Sequence, residues 1–92
     1  MRIRWSETAF NELEDILAFI SERNRPAAAA VARRILDRTQ LLGEFPLAGH
    51  VTNESGVRAL SVVTYPFVIY YAIDHVAGEV VVLNVRHTAQ EP

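Results

Sequence analysis

The sequence contains no cysteine, which excludes disulfide bonds and thiolate-held zinc and fits a reducing compartment. Lysine is also missing, so all nine basic residues are arginines, set against 11 acidic ones. The net charge of −2 leaves no cationic excess. Affinity for nucleic acid comes largely from phosphate neutralisation and counterion release, so direct nucleic-acid binding is disfavoured. Long apolar runs are absent too. The longest, Pro66 to Ile73, falls well short of the ~20 residues that a membrane helix needs. The opening Met-Arg-Ile-Arg-Trp-Ser-Glu lacks the apolar core of a signal peptide, so the expectation is a cytoplasmic protein with no membrane partner.

What remains is a 92-residue chain that is 50% hydrophobic, ordinary for a folded domain. A chain of this length has room for one core, so residues 1–92 are expected to form one domain. Residues 2–5 alternate, with Ile3 and Trp5 on one side and Arg2 and Arg4 on the other, as a half-buried strand does. Ser6 follows in the position of a helix N-cap, with Glu7 in the first turn. Ala9, Phe10, Leu13, Ile16, Leu17 and Ile20 then recur at helical spacing, with Glu12, Glu14 and Asp15 on the opposite face. That helix ends near Glu22.

Asn24-Arg25-Pro26 is a stop and a restart, because proline loses nothing in a helix's first turn. Ala28, Val31, Ile35 and Leu42 mark the buried stripe of a second helix, and Gly43 is expected to end it. So short a junction lays the two helices antiparallel. Residues 43–56, rich in Gly, Pro, Asn and Ser, read as an irregular loop. Three strands are expected after it, at Val57–Val63, Phe67–Asp74 and Glu79–Arg86. The second is nearly all apolar, the mark of a central strand. A short turn through His75 and Gly78 joins the last two as a hairpin. The expected class is α+β, in the order β-α-α-β-β-β, with a helix hairpin on one face of a small, mainly antiparallel twisted sheet.

Several segments in this order resemble one known group. They are Ser6-Glu7-Thr8-Ala9, Leu13, Ile16 and Phe19-Ile20, then Asn24, Pro26 and Ala27-Ala28. Leu42, Phe45-Pro46 and Gly49 follow, then Val57-Arg58-Ala59-Leu60, Tyr65 to Tyr71, and Val82 to His87. Together they resemble the RelE/ParE toxin superfamily of type II toxin–antitoxin systems over essentially the whole chain. The resemblance implies a cytoplasmic growth inhibitor, of the kind associated with plasmid stabilization, neutralised by a cognate, ParD-like antitoxin whose flexible segment folds onto it. Half the residues are apolar, more than so small a domain can hide, which leaves surface for such a segment to cover.

The superfamily has two activities. RelE-like members are ribosome-dependent mRNA endoribonucleases, and ParE-like members bind and poison DNA gyrase. Cleavage at a 2′-OH needs a proton acceptor, a proton donor and cations facing the phosphate. Arg58 and Arg86 as cations and His87 as acid or base, with Glu54 nearby, form the candidate set. Where the ribonucleases resemble Tyr-Arg-Leu-Val-Tyr, this chain reads Phe67-Val68-Ile69-Tyr70-Tyr71, so valine replaces the arginine that would stabilise the transition state. The helix junction, Phe45-Pro46-Leu47-Ala48-Gly49 and the Leu83-Asn84-Val85-Arg86-His87 ending resemble the ParE-like branch. The expectation is therefore a gyrase binder with no catalytic residues and no cofactor, using Arg58, Arg86 and His87 for target contact. The alternatives are an endoribonuclease using the same three residues, or a degenerate, non-toxic member that still binds antitoxin. His50 and His75 stand in loops with no second ligand at metal spacing, so no metal site is expected.

Overall fold

A computed structural model describes residues 1–90. Its elements are β1 (Arg2–Trp5), α1 (Glu7–Ser21), α2 (Arg25–Glu44), β2 (His50–Val51), β3 (Arg58–Val62), β4 (Phe67–Asp74) and β5 (Glu79–His87), closed by a 3₁₀ turn at Thr88–Gln90. The five strands form one sheet in the order β1-β5-β4-β3-β2, so the apolar β4 is central, and only the β1–β5 pairing is parallel.

Local chemistry sets the helix ends. The Ser6 hydroxyl accepts the Ala9 N–H at 3.0 Å, and Asn24 Oδ1 accepts the Ala27 N–H at 3.0 Å, with Pro26 in the first turn of α2. Between these caps the helices face the sheet with Ala9 and Leu13 of α1, and Val31, Ile35 and Leu42 of α2. Opposite them lie Leu60 and Val62, then Phe67, Ile69 and Tyr71, then Val80, Val82 and Val85. Ile3 and Trp5 pack half-buried against this core, while Arg2 and Arg4 reach Glu79 on the other face at 3.7 and 3.1 Å.

The spacing of the β5 core residues needs an explanation, because strict alternation would turn Val85 away from Val82. A β-bulge supplies it. Tyr70 is paired with Asn84 but Tyr71 with Val82, so Leu83 is the extra residue. The register shift returns Val85 to the helix side, keeps Tyr71 fully buried and leaves Tyr70 half-exposed on the open face.

Four details depart from the sequence expectations. First, residues 43–56 are not wholly irregular, because His50 and Val51 pair with Ala59 and Arg58 as a fifth strand. A two-residue strand is too short to show alternation. Second, α2 continues through Gly43 to Glu44. The glycine serves close approach here, since a Cβ on it would lie 2.9 Å from the Met1 carbonyl oxygen; the Met1 ammonium donates to the Gly43 carbonyl at 2.7 Å. Third, Phe10 is 52% exposed and outside the core, being about 100° round the helix from Ala9. Fourth, Glu12 is half-buried and bonded to β5, not free on the wet face like Glu14 and Asp15.

No helix among the described residues is long and apolar enough to cross a membrane.

Candidate functional site

β1 stops at Trp5, pairing β5 only as far as Val82. Beyond that point the edge of β5 would expose unpaired backbone groups. The start of α1 replaces the missing strand. Ser6 N–H donates to the Val82 carbonyl at 2.9 Å, and the Ser6 hydroxyl donates to the Leu83 carbonyl at 3.1 Å. Glu12 Oε1 then accepts both the Val85 N–H and the Asn84 side-chain amide, each at 3.1 Å.

This substitution opens a cleft of about 750 Å³ on the sheet face away from the helices. Ser6 and Thr8 stand on one side and the segment from His50 to Val57 on the other. Ala59, Tyr70 and Asn84 line it between them, and Arg86 is its one arginine among the described residues. The Arg86 side chain is 45% exposed, and its Nε lies 3.8 Å from Glu12 Oε2. That separation is an ion pair but is too long for a good hydrogen bond. The guanidinium is therefore loosely held and open to another acceptor.

The other two arginine and histidine candidates are placed elsewhere. Arg58 is half-buried, and its Nη1 donates to the Gly49 carbonyl at 2.8 Å. The same glycine donates its N–H to the Tyr71 hydroxyl at 2.9 Å, and that hydroxyl donates to the Pro46 carbonyl at 2.7 Å. His87 stands edge-on to Phe67, with ring centroids 5.4 Å apart, and its Nδ1 accepts the Ala89 N–H at 3.0 Å. In register Arg58 is opposite Tyr71 and His87 opposite Phe67. Those two positions lie four steps apart along β4, about 13 Å at strand rise. Arg86 points to the cleft face, so the three do not converge on one point. Glu54 and His50 do border the cleft, on its loop side. Val68 sits between Ser61 and Arg86 in register and is only 5% exposed. Among the described residues there is no group of three or more His, Cys, Asp or Glu that could hold a metal ion.

The sequence reading missed Glu12. Its spacing is that of any solvated helical acid, and the feature that singles it out is the early end of β1. Tyr71 falls inside the expected second strand, where nothing in the strand pattern marks its hydroxyl. The one signal for its role was Gly49, where a Cβ would come within 2.7 Å of the Tyr71 hydroxyl.

The sequence and the fold are similar to those of known proteins. The family profile described as the ParE toxin of the type II toxin–antitoxin system parDE matches residues 3–92. The toxin candidate Y4kP of Sinorhizobium fredii is 33% identical over 90 residues, covering 98% of this chain and 91% of that protein. The chromosomal ParDE toxin–antitoxin system of P. aeruginosa contains a chain that superposes with a TM-score of 0.82 at 21% identity, covering 95% of each chain. A chain of the RelBE2 toxin–antitoxin complex of Mycobacterium tuberculosis superposes with a TM-score of 0.65 at 21% identity, covering 94% of this chain and 95% of that one.

Proposed function

Because the chain belongs to the ParE toxin family of type II toxin–antitoxin systems, we propose that it arrests bacterial growth by binding and poisoning DNA gyrase in the cytoplasm, and that a cognate, ParD-like antitoxin holds it inactive. The observation that carries the gyrase reading over mRNA cleavage is the scatter of Arg58, Arg86 and His87. A phosphate-cleaving site needs its cations and its acid or base within hydrogen-bond reach of one substrate. Here Arg58 is engaged with Gly49 and His87 packs on Phe67, so of these three only Arg86 lines the cleft, where Glu54 and His50 stand on the loop side. The buried Val68 in the central strand supports the same reading, since a missing transition-state cation costs about two to three decades in rate.

On this account Arg86 is the target contact in the cleft, while Arg58 holds the Gly49 carbonyl and His87 packs on Phe67. Expression of the chain alone in a bacterial host is expected to arrest growth and to induce the DNA-damage response that trapped, cleaved DNA provokes. Co-expression of the protein encoded beside it should restore growth. Growth arrest without DNA damage, accompanied by mRNA cleavage, would favour the ribonuclease. Harmless expression would identify a degenerate member.

A further inference from the structure

The net charge of −2 conceals an uneven distribution. Helix α1 carries Glu7, Glu12, Glu14 and Asp15 and no basic residue, whereas α2 carries Arg25, Arg33, Arg34 and Arg38 against Asp37 and Glu44. Every arginine outside α2 is engaged: Arg2, Arg4, Arg23 and Arg86 in ion pairs, and Arg58 with the Gly49 carbonyl. The arginines of α2 form no ion pair among the described residues.

Geometry sets two of these arginines apart. The short β2 pairs only with Arg58 and Ala59, which leaves the outer edge of β3 open beyond them. Arg34 and Arg38, one helical turn apart, lie half-buried along that edge, while Arg25 and Arg33 are exposed. Arg38 Nε donates to the Ser61 carbonyl at 3.1 Å, and Arg34 Nη1 donates to the Val63 carbonyl at 3.3 Å. Those carbonyls are two residues apart, about 7 Å at strand rise, close to the straight-line spacing of successive phosphates on a nucleic-acid strand. Each guanidinium uses one N–H on its carbonyl and keeps the rest of its fork for another acceptor. The two side chains are thus placed before any ligand arrives, and the ordering cost that binding would otherwise carry is met on folding.

We propose that Arg34 and Arg38 hold the phosphate backbone of the DNA segment that gyrase binds beside the toxin. The inference rests on the gyrase reading above. Two phosphate contacts give a chain of negative net charge little affinity for free DNA. They count once gyrase binding has brought α2 beside the duplex and raised its effective concentration there. Charge also sets the orientation, because the acidic α1 is repelled by the duplex that α2 faces. An acidic peptide is the competing occupant. It would gain its affinity by strand addition at this edge, and the outward carbonyls it needs are already taken by the guanidiniums. A phosphate backbone needs only the cationic forks.

The test compares the cleaved plasmid that the chain traps on gyrase with its binding to DNA-free gyrase. Arg34→Met combined with Arg38→Met is expected to keep the melting temperature and the affinity for DNA-free gyrase, while trapping cleaved plasmid at least about tenfold less. The log–log salt dependence of trapping should flatten by about 1.8, at ~0.9 per phosphate contact. Lysine at both positions restores the charge and should recover most of the trapping and of the salt slope. Arg25→Met combined with Arg33→Met removes the same charge from exposed positions and should change trapping by less than about twofold. Unchanged trapping and salt slope in the Arg34→Met, Arg38→Met variant overturns the proposal. So does an equal loss in the Arg25→Met, Arg33→Met variant, which would make the effect one of overall charge. A fall in affinity for DNA-free gyrase that accounts for all the lost trapping also overturns it, and would give the two arginines to the protein target. A wild-type chain that leaves gyrase unaffected refutes the gyrase reading itself, and this inference with it.

Discussion

Glu12 and Val85 meet at 3.1 Å, a helix carboxylate accepting the backbone N–H of a strand 73 positions away. The contact does what a further residue of β1 would have done, and it leaves the neighbouring sheet face open as the cleft. Glu12→Ala removes the acceptor from two donors and the counter-charge from Arg86. The expected loss is about 1–3 kcal/mol. Urea unfolding should show a lower midpoint with an unchanged slope, and a changed slope would mean that the strand end itself had come apart.

Tyr71→Phe keeps the ring in the core but strips the hydroxyl from the Pro46 carbonyl and the Gly49 N–H. The expected cost is again about 1–3 kcal/mol. Amide exchange at Gly49 should accelerate while that of Ile69 in β4 does not. Arg58→Met, which loses the bond to the same glycine's carbonyl, should combine with it non-additively, because both act on one residue.

Gly49→Ala should do more damage than its single methyl suggests. The added carbon would lie 2.7 Å from the Ala59 carbonyl oxygen and from the Tyr71 ring, and the backbone atom cannot swing aside. Overpacking of this kind costs about 1–3 kcal/mol, and each kcal/mol lowers the melting temperature of so small a domain by roughly 4–8 °C. Calorimetric melting of this variant beside Gly56→Ala separates close approach from backbone strain. Gly56 has open space around its Cβ position but a φ of +79°, so its cost comes from conformation alone.

Arg86→Ala and His87→Ala are neighbours in sequence with opposite expected outcomes. The first removes the cleft's one arginine and should abolish growth arrest without unfolding the protein. The second removes an edge contact to Phe67 and an acceptor for Ala89, and should cost under about 1 kcal/mol with growth arrest retained. A ribonuclease relying on His87 would show the reverse for that variant. Growth curves of the two variants, with purified protein checked for folding, decide it.

These residues also show what the sequence made legible. The helix caps at Ser6 and Asn24, the central apolar strand and the closing hairpin rest on local chemistry and periodicity and stand in the structure, as do the two amphipathic stripes apart from Phe10 and Glu12. The order of those segments carried the family resemblance. What was hidden depends on pairing between distant segments. β2 is two residues long, and the bulge at Leu83 exists only relative to β4. The roles of Glu12, Tyr71 and Gly49 follow from where β1 stops and how closely β3 approaches the loop. Arg58, Arg86 and His87 were grouped because arginine and histidine near strand ends are the types a phosphate site needs. Alternation and a separation of four steps along β4 keep them apart.

The most direct test is a gyrase supercoiling assay with the purified, antitoxin-free chain, run beside ribosome-programmed mRNA cleavage. The account predicts inhibited supercoiling or trapped, cleaved plasmid, relieved by the antitoxin, with the mRNA intact. Unaffected gyrase together with cut mRNA would contradict it, and would mean that a site built around Arg86 cleaves RNA with valine at position 68.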